Sequence, residues 1–343
     1  MAPHPSTSTA RRGAMRLVGA AALALFGAAA SPLALAQAGA AATPGWPNKP
    51  VRLIVTFPPG GSSDAAARLV APKLAERLGQ AVVIDNRPGA GGGIGLEAAA
   101  KSAPDGHTLV LASAGGLTAN PSLYRKLNYD PVKDFAPVVL FGTSPFVLVA
   151  HESLPAANAR ELVALAKSKP GKLSYASGGN GTAMHLSGEL LKSTAQVFVV
   201  HVPYRGTGPA VLAAMSGETE LAVADLASVQ QQLKGGRLKA LGVMGAKRSS
   251  LAPELPTLAE TGLPGFESNG WFAVLAPAGT PAPIVARLNA ELNAILRSDD
   301  MRRQFAVAGL EPLGGSSEEL ARLMKSETDK WAQVIKVSGA KLD

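Results

Sequence analysis

Short apolar runs typical of β-strands recur along the chain. They lie at residues 51–55, 82–84, 109–111, 146–150, 173–177, 197–202, 221–225, 239–243 and 271–275. Segments with helical periodicity separate several of them, at 66–78, 159–167, 183–191, 207–215 and 226–233. Strands that alternate with helices at this spacing predict an α/β fold, with parallel sheets covered by helices on both faces.

The last part of the chain changes character after the run at 271–275. Pro281 predicts the start of a long amphipathic helix, because proline is favoured in the first turn. Ser316 and Glu319 have the spacing of a capping box, which predicts a final helix directly after them.

The N-terminal segment has the pattern of a secretory signal peptide. Basic residues that include Arg11 and Arg12 precede an apolar stretch at 17–30, and an A-x-A box follows at 34–36. The stretch is shorter than the roughly 20 apolar residues that a membrane span requires. We therefore expect residues 1–36 to be removed after this box, with cleavage after Ala38 as the alternative; the export route, general secretory or twin-arginine, stays open.

Composition excludes several classes of protein. The 343 residues exceed a single core of roughly 250–300 residues, so two lobes are expected. The chain has no cysteine, which excludes disulfides, catalytic thiols and thiolate metal sites. Loss of the leader removes three arginines and no acid, which lowers the net charge from +8 to +5. The remaining basic residues are scattered, so nucleic-acid binding is not expected.

Two glycine-containing loops stand at predicted strand ends, at residues 57–64 and 177–182. Ligands of open parallel sheets bind beyond the carboxyl ends of the strands. Glycines allow close backbone approach, and free amides at helix N-termini favour an anion. Each loop alone is also typical of ordinary helix capping. A third segment, 201–208, has the same position between a strand and a helix.

Motifs of assembled catalytic sites are missing from the sequence. The glycine cluster at 89–95 has Ile94 where a dinucleotide fingerprint requires its third glycine, and Pro155 stands at the second ligand position of an H-E-x-x-H motif. No serine lies in a G-x-S-x-G elbow. We therefore expect no catalytic residues, no cofactor and no metal.

A series of ordered motifs carries a resemblance to a known family. They are Trp46-Pro47, Phe57-x-Pro59-Gly60-Gly61-x-x-Asp64, Asp85-Asn86-Arg87-Pro88-Gly89, Asn120-Pro121-Ser122-Leu123-Tyr124, His201-Val202-Pro203-Tyr204-Arg205-Gly206 and Pro253-Glu254-Leu255-Pro256-Thr257. Over residues 46–340 the chain resembles the Bug-type, TctC-like solute-binding proteins of tripartite tricarboxylate transporters.

The resemblance implies an α/β type II periplasmic binding protein fold, in which two parallel-sheet lobes enclose a ligand cleft. Lobe 1 would hold residues 45–144 and 269–343, and lobe 2 would hold residues 145–268. The product would be a periplasmic monomer without a cofactor.

The resemblance also implies a set of ligand-binding residues. Those on lobe 1 are Phe57, Gly60, Gly61, Ser62, Asp64, Ser113 and Asn120. Those on lobe 2 are Asn180, Gly181, Thr182, His185, Tyr204, Gly206 and Asp225.

The implied function is capture of a small carboxylate by cleft closure, for transfer to the membrane permease subunits of a tripartite transporter. The ligand would be a di- or tricarboxylate, an amino acid or an aromatic acid. Two alternatives stay open: a ligand-binding co-sensor that signals to a membrane sensor kinase, and an exported hydrolase that uses Ser62 or His185.

Overall fold

The computed structural model describes Met1, Ala2 and residues 45–338. Apart from its first two residues, the predicted signal peptide lies outside the described residues. From residue 45 onward the described chain belongs to one compact unit. None of its described helices combines the length and the apolar character that a membrane crossing needs.

The first sheet has six strands in the order β11-β4-β10-β3-β1-β2. These strands are β1 (Val51–Val55), β2 (Val82–Asn86), β3 (Thr108–Ser113), β4 (Phe135–Ser144), β10 (Gly270–Pro277) and β11 (Glu311–Pro312). Strand β1 pairs in parallel with β2 and β3, whereas β10 is antiparallel to β3 and β4.

The second sheet has five strands in the order β7-β6-β8-β5-β9. They are β5 (Phe146–His151), β6 (Ser174–Ser177), β7 (Val200–Pro203), β8 (Leu221–Asp225) and β9 (Leu238–Val243). Strand β6 is parallel to β7 and β8, whereas β5 is antiparallel to β8 and β9.

Both sheets therefore contain parallel and antiparallel strands, whereas the alternation of strands and helices predicted wholly parallel sheets. The antiparallel strands β5 and β10 are those at which the chain changes sheet. Pro145 alone separates β4 from β5, so the chain passes directly from the first sheet to the second at this point. Strand β10 re-enters the first sheet after β9 through a longer connection, which contains the short helix Leu258–Thr261.

Eleven α-helices lie within the described residues. They are α1 (Ser62–Leu78), α2 (Gly93–Ala100), α3 (Asn120–Leu123), α4 (Ala159–Ser168), α5 (Ala183–Ala195), α6 (Thr207–Ser216), α7 (Leu226–Lys234), α8 (Leu258–Thr261), α9 (Ala282–Leu296), α10 (Asp299–Val307) and α11 (Ser317–Ser338). A π-helix (Gly115–Ala119) follows β3.

Local chemistry accounts for the helix starts. Helix α9 begins directly after Pro281, as predicted. The predicted capping box before α11 is confirmed: Ser316 N donates to Glu319 Oε2 (2.7 Å), and Glu319 N donates to Ser316 Oγ (3.1 Å).

Helix α11 packs against elements of both halves of the fold. It contacts strand β4, the π-helix and helix α5. Trp331 and Ile335 of α11 lie in one apolar cluster with Leu186 of α5 and with Ala119 and Leu123. Because a buried large apolar side chain contributes roughly 1.5–3 kcal/mol, this cluster fixes α5 and its N-terminus against the first sheet.

Candidate functional site

A cavity of about 390 Å³ lies between the edges of the two sheets. Its lining from the first-sheet side includes Phe57–Ser63 after β1, Ser113 at the end of β3, and Gly270, Trp271 and Phe272 at the start of β10. The lining from the second-sheet side is Phe146, Gly178, Thr182, Ala183, Met184, Arg205, Gly206, Thr207, Gly208, Pro209 and Ser228.

Four helices begin at this cavity, and their N-caps divide them into two classes. Thr182 caps α5 by accepting from His185 N, and Asp225 caps α7 by accepting from Ser228 N. Helices α1 and α6 have the glycine N-caps Gly61 and Gly206, which provide no side-chain hydrogen bond. The first amides of α1 and α6 therefore remain available to an external acceptor.

Ser113 adds a second unsatisfied donor to the lining. Its hydroxyl is buried, the residue is only 8% exposed, and Oγ forms no hydrogen bond with any described residue. Because a buried hydroxyl without a partner is costly, this atom is suited to a ligand that accepts a hydrogen bond.

Asp64 shapes the first loop from behind. Its Oδ2 accepts from Gly60 N (2.9 Å) and from Arg68 Nε (2.8 Å), and Oδ1 accepts from Asn86 Nδ2 (3.0 Å). Asn86 Nδ2 also donates to Phe57 O (3.0 Å). Gly60 has a φ of +83°, which favours glycine, so the bend depends on this residue and on the carboxylate that holds it.

The pKa of Asp64 is lowered from its ordinary value. Burial alone would raise this pKa, but the hydrogen bonds from Arg68, Gly60 and Asn86 outweigh burial. Asp64 is therefore an anion at neutral pH, and its charge is balanced by Arg68 and by the hydrogen bond from the loop amide of Gly60.

The second loop, residues 177–182, is held by a similar network. Thr182 Oγ1 donates to Gly179 O (2.7 Å), and Gly179 N donates to Ser177 Oγ (3.2 Å). Gly181 N donates to His185 Nδ1 (3.3 Å). His185 therefore acts as an acceptor within the loop, which requires an unprotonated Nδ1.

A buried aromatic stack supports this loop. The ring of His201 lies 4.1 Å from that of His185 and 4.8 Å from that of Tyr175, and His201 Nε2 is 2.6 Å from Ser177 Oγ. Burial lowers the pKa of both histidines, that of His201 to about 3 with the further influence of His185 and Lys192. Both imidazoles are neutral at pH 7.

The two sides of the cavity touch each other through glycines. A Cβ atom added to Gly115 would lie 2.7 Å from Gly181 O and 2.8 Å from Ala183 N. A Cβ added to Gly206 would lie 4.0 Å from Pro58 Cγ. The strand-end loops of the two sheets are therefore in close backbone contact in this structure.

Seven of the predicted site residues line the cavity. They are Phe57, Gly60, Gly61, Ser62, Ser113, Thr182 and Gly206. The structure places the other seven outside the lining: Asp64, Asn120, Asn180, Gly181, His185, Tyr204 and Asp225.

Most residues of the second group support the lining from behind. Asn120 is fully buried and donates through Nδ2 to Ala90 O (3.3 Å) and Tyr129 Oη (3.0 Å). Asp225 is buried at the start of α7 and accepts from Ser228 N (3.0 Å) and Ser228 Oγ (2.8 Å). Asn180 is exposed, and Tyr204 packs against the apolar core beside the second sheet.

Sequence reasoning missed the aromatic wall, which consists of Phe146, Trp271 and Phe272. These residues stand at the starts of β5 and β10, whereas the rule for ligands of parallel sheets points to the carboxyl ends of strands. An antiparallel strand brings its amino end to the edge where its parallel neighbours end. The sequence carries no signal that distinguishes these antiparallel strands from their parallel neighbours.

The described residues lack a cluster of metal-binding side chains. Within the described residues, no three histidine or acidic side chains are grouped where they could share a metal ion.

A family model described as the tripartite tricarboxylate transporter family receptor matches residues 66–340. The chain belongs to this receptor family. It is 43% identical over 291 residues to a UPF0065 protein from the tcbD-tcbE intergenic region of Pseudomonas sp. strain P51, covering 84% of this chain and 86% of that protein. It is 38% identical to protein BugT of Bordetella pertussis, covering 87% and 91%. The predicted family is confirmed.

Solved structures of receptor-family relatives have the same architecture. Rpa4515 of R. palustris, solved with adipate, is 38% identical with a TM-score of 0.81, and the match covers 86% of this chain and 98% of that one. MatC (Rpa3494) of Rhodopseudomonas palustris, solved with bound malate, is 34% identical with a TM-score of 0.78, covering 84% and 100%. The predicted two-lobed binding fold is confirmed, and the chain is a TctC/Bug-type periplasmic solute-binding protein.

Proposed function

We propose that this protein captures a small organic carboxylate in the cavity between its two sheets. The observation that carries the proposal is the convergence of two uncapped helix N-termini, those of α1 and α6, on one cavity. Each amide hydrogen bond to an ionised acceptor contributes about 1.5–3 kcal/mol, and each helix dipole adds about 0.3–1 kcal/mol. The adipate and malate held by the two relatives support the same ligand class.

The lining supports a ligand with an apolar body. Phe146, Trp271 and Met184 lie beside the polar loops, so a carbon skeleton would be shielded from water while its carboxylate meets the amides and Ser113. No acidic side chain contributes to the lining described here. Such a pocket binds and orients an acid, and we assign no catalytic step to it.

Binding would favour the closed arrangement of two lobes, residues 45–144 with 269–343 and residues 145–268. We assign to that arrangement the close approach of Gly115 to Gly181 and of Gly206 to Pro58. A ligand that bridges both loops binds the closed form better than the open form and so shifts the population. After removal of residues 1–36 in the periplasm, the closed form would deliver the acid to the membrane subunits of a tripartite transporter.

Replacing Ser62 with proline tests whether the first amide of helix α1 binds the carboxylate. Proline is tolerated at the first position of a helix and removes one N–H, and the extended conformation of Gly61 (φ −81°, ψ 171°) suits a residue before proline. Calorimetric titration with a panel of mono-, di- and tricarboxylates first identifies a ligand. We expect Ser62→Pro to weaken its binding by tenfold or more.

Ser62→Ala is the matched control, because it removes the hydroxyl and keeps the amide. If Ser62→Pro and Ser62→Ala bind alike while both variants remain folded, the helix amide does not hold the carboxylate. Failure of every acid to bind the folded wild-type protein would overturn the proposed function itself.

A further inference from the structure

Arg205 is the single charged side chain among the cavity-lining residues that the structure describes. It is exposed, and its guanidinium forms no ion pair or hydrogen bond with any described residue. The backbone on either side is fixed, since Tyr204 N donates to Ser177 O (3.0 Å) and Gly206 N donates to Gly178 O (3.1 Å). The arginine therefore starts from a defined point on the cavity wall.

The charges near the cavity leave Arg205 uncompensated. The carboxylate of Asp64 is paired with Arg68 at 2.8 Å. Asp225 caps α7, and burial raises its pKa, which disfavours its anionic form. With the helix ends of α1 and α6 added, the cavity carries more positive potential than one carboxylate neutralises.

The apolar part of the wall restricts where a second negative group can lie. Phe146, Met184 and Trp271 offer no partner for a charge, because burial of a charge against apolar groups is unfavourable. A guanidinium is suited to a carboxylate, which it can bind through two parallel N–H···O bonds.

We infer that Arg205 is a specificity-determining residue that selects acids with a second carboxylate. The ligand class is then dicarboxylates with an apolar middle section, one end on the helix amides and the other on Arg205. This inference rests on the proposed function, because it assumes that the first carboxylate lies in the cavity.

Pairs of isosteric ligands test the inference. Each straight-chain dicarboxylate of four to eight carbons is titrated beside its half-amide, which has the same shape and one negative charge fewer. We expect the wild-type protein to bind the best dicarboxylate about tenfold more tightly than its half-amide. In Arg205→Gln the difference should shrink to less than about twofold, through weaker dicarboxylate binding alone.

Arg237→Gln is the matched control, since it removes the same charge from an exposed position outside the cavity lining. It should retain the full discrimination. The inference is overturned if Arg205→Gln keeps the discrimination, if the wild-type protein binds both members of every pair equally, or if it binds monocarboxylates such as hexanoate or benzoate but no dicarboxylate. In the last two cases the proposed function still stands. Absence of binding by any carboxylate overturns both.

Discussion

Replacement of Gly115 by alanine would drive the two sides of the cavity apart. The new Cβ would lie 2.7 Å from Gly181 O and 2.8 Å from Ala183 N, both backbone atoms of the opposite loop. Ordinary contact begins at 3.4 Å, so the facing loop must retreat by about 0.7 Å. Gly115 has no positive φ, and the strain is therefore purely steric.

Overpacking of this kind costs about 1–3 kcal/mol. If that cost falls on the closed arrangement, ligand affinity drops by about fivefold to 150-fold, since 1.4 kcal/mol corresponds to a factor of ten. Calorimetric titration with the acid identified in the panel measures the loss. Thermal unfolding followed by circular dichroism reports whether the fold itself is weakened.

Gly235→Ala provides the control for this experiment. Gly235 follows α7 with right-handed backbone angles, and a Cβ there would meet nothing closer than Gln231 O at 3.4 Å. It should bind and melt like the wild-type protein. Wild-type affinity in Gly115→Ala would refute the reasoning, because the contact between the loops would then not accompany ligand binding.

Two further substitutions probe the site from different sides. Ser113→Ala should weaken ligand binding about tenfold without lowering the unfolding midpoint, because the hydroxyl of Ser113 has no hydrogen-bond partner in the protein. Ser144→Ala is the control: it removes a buried hydroxyl that also lacks a partner but lies outside the cavity lining, and it should leave the affinity unchanged. His201 has a folded-state pKa lowered to about 3, so below pH 6.5 the unfolded chain gains a proton there that the folded protein excludes. The unfolding free energy should therefore fall by up to about 1.4 kcal/mol per pH unit between pH 6 and 4. Urea titrations at several pH values measure this free energy, and its dependence on pH should be weaker in His201→Gln than in the wild-type protein. The same pH dependence in both proteins would contradict a buried, neutral His201.

Periodicity predicted the regular elements where the local signal is strong. Strand β1 and strand β8 begin and end at the predicted residues, and α6 differs from its prediction by one residue. The pattern missed strand β4, which lies in the apolar region before Pro145, and the short helix α2, which follows a run of glycines. Neither segment has an alternation that separates it from its neighbours, so tertiary pairing decides its conformation.

The candidate site was only half accessible to sequence reasoning. Residues of the loops after β1 and β6 could be predicted because glycines and helix starts mark them. Phe146 and Trp271 could not, since their position at the cavity depends on which strands run antiparallel. Asp64 and His185 were predicted as ligand contacts, and the structure places them behind the loops. A sequence motif marks such residues without telling which atoms face the ligand.

The strand order has a consequence for how the chain matures. All strands of the second sheet come from one continuous stretch, Phe146 to Val243, so this sheet can assemble as soon as that stretch has been synthesised. In the first sheet, β10 fills the position between β3 and β4, and it is made more than a hundred residues after both. Strands β3 and β4 therefore lack the strand that pairs with both of them until residue 277 has been synthesised, and their facing edges stay unpaired up to that point.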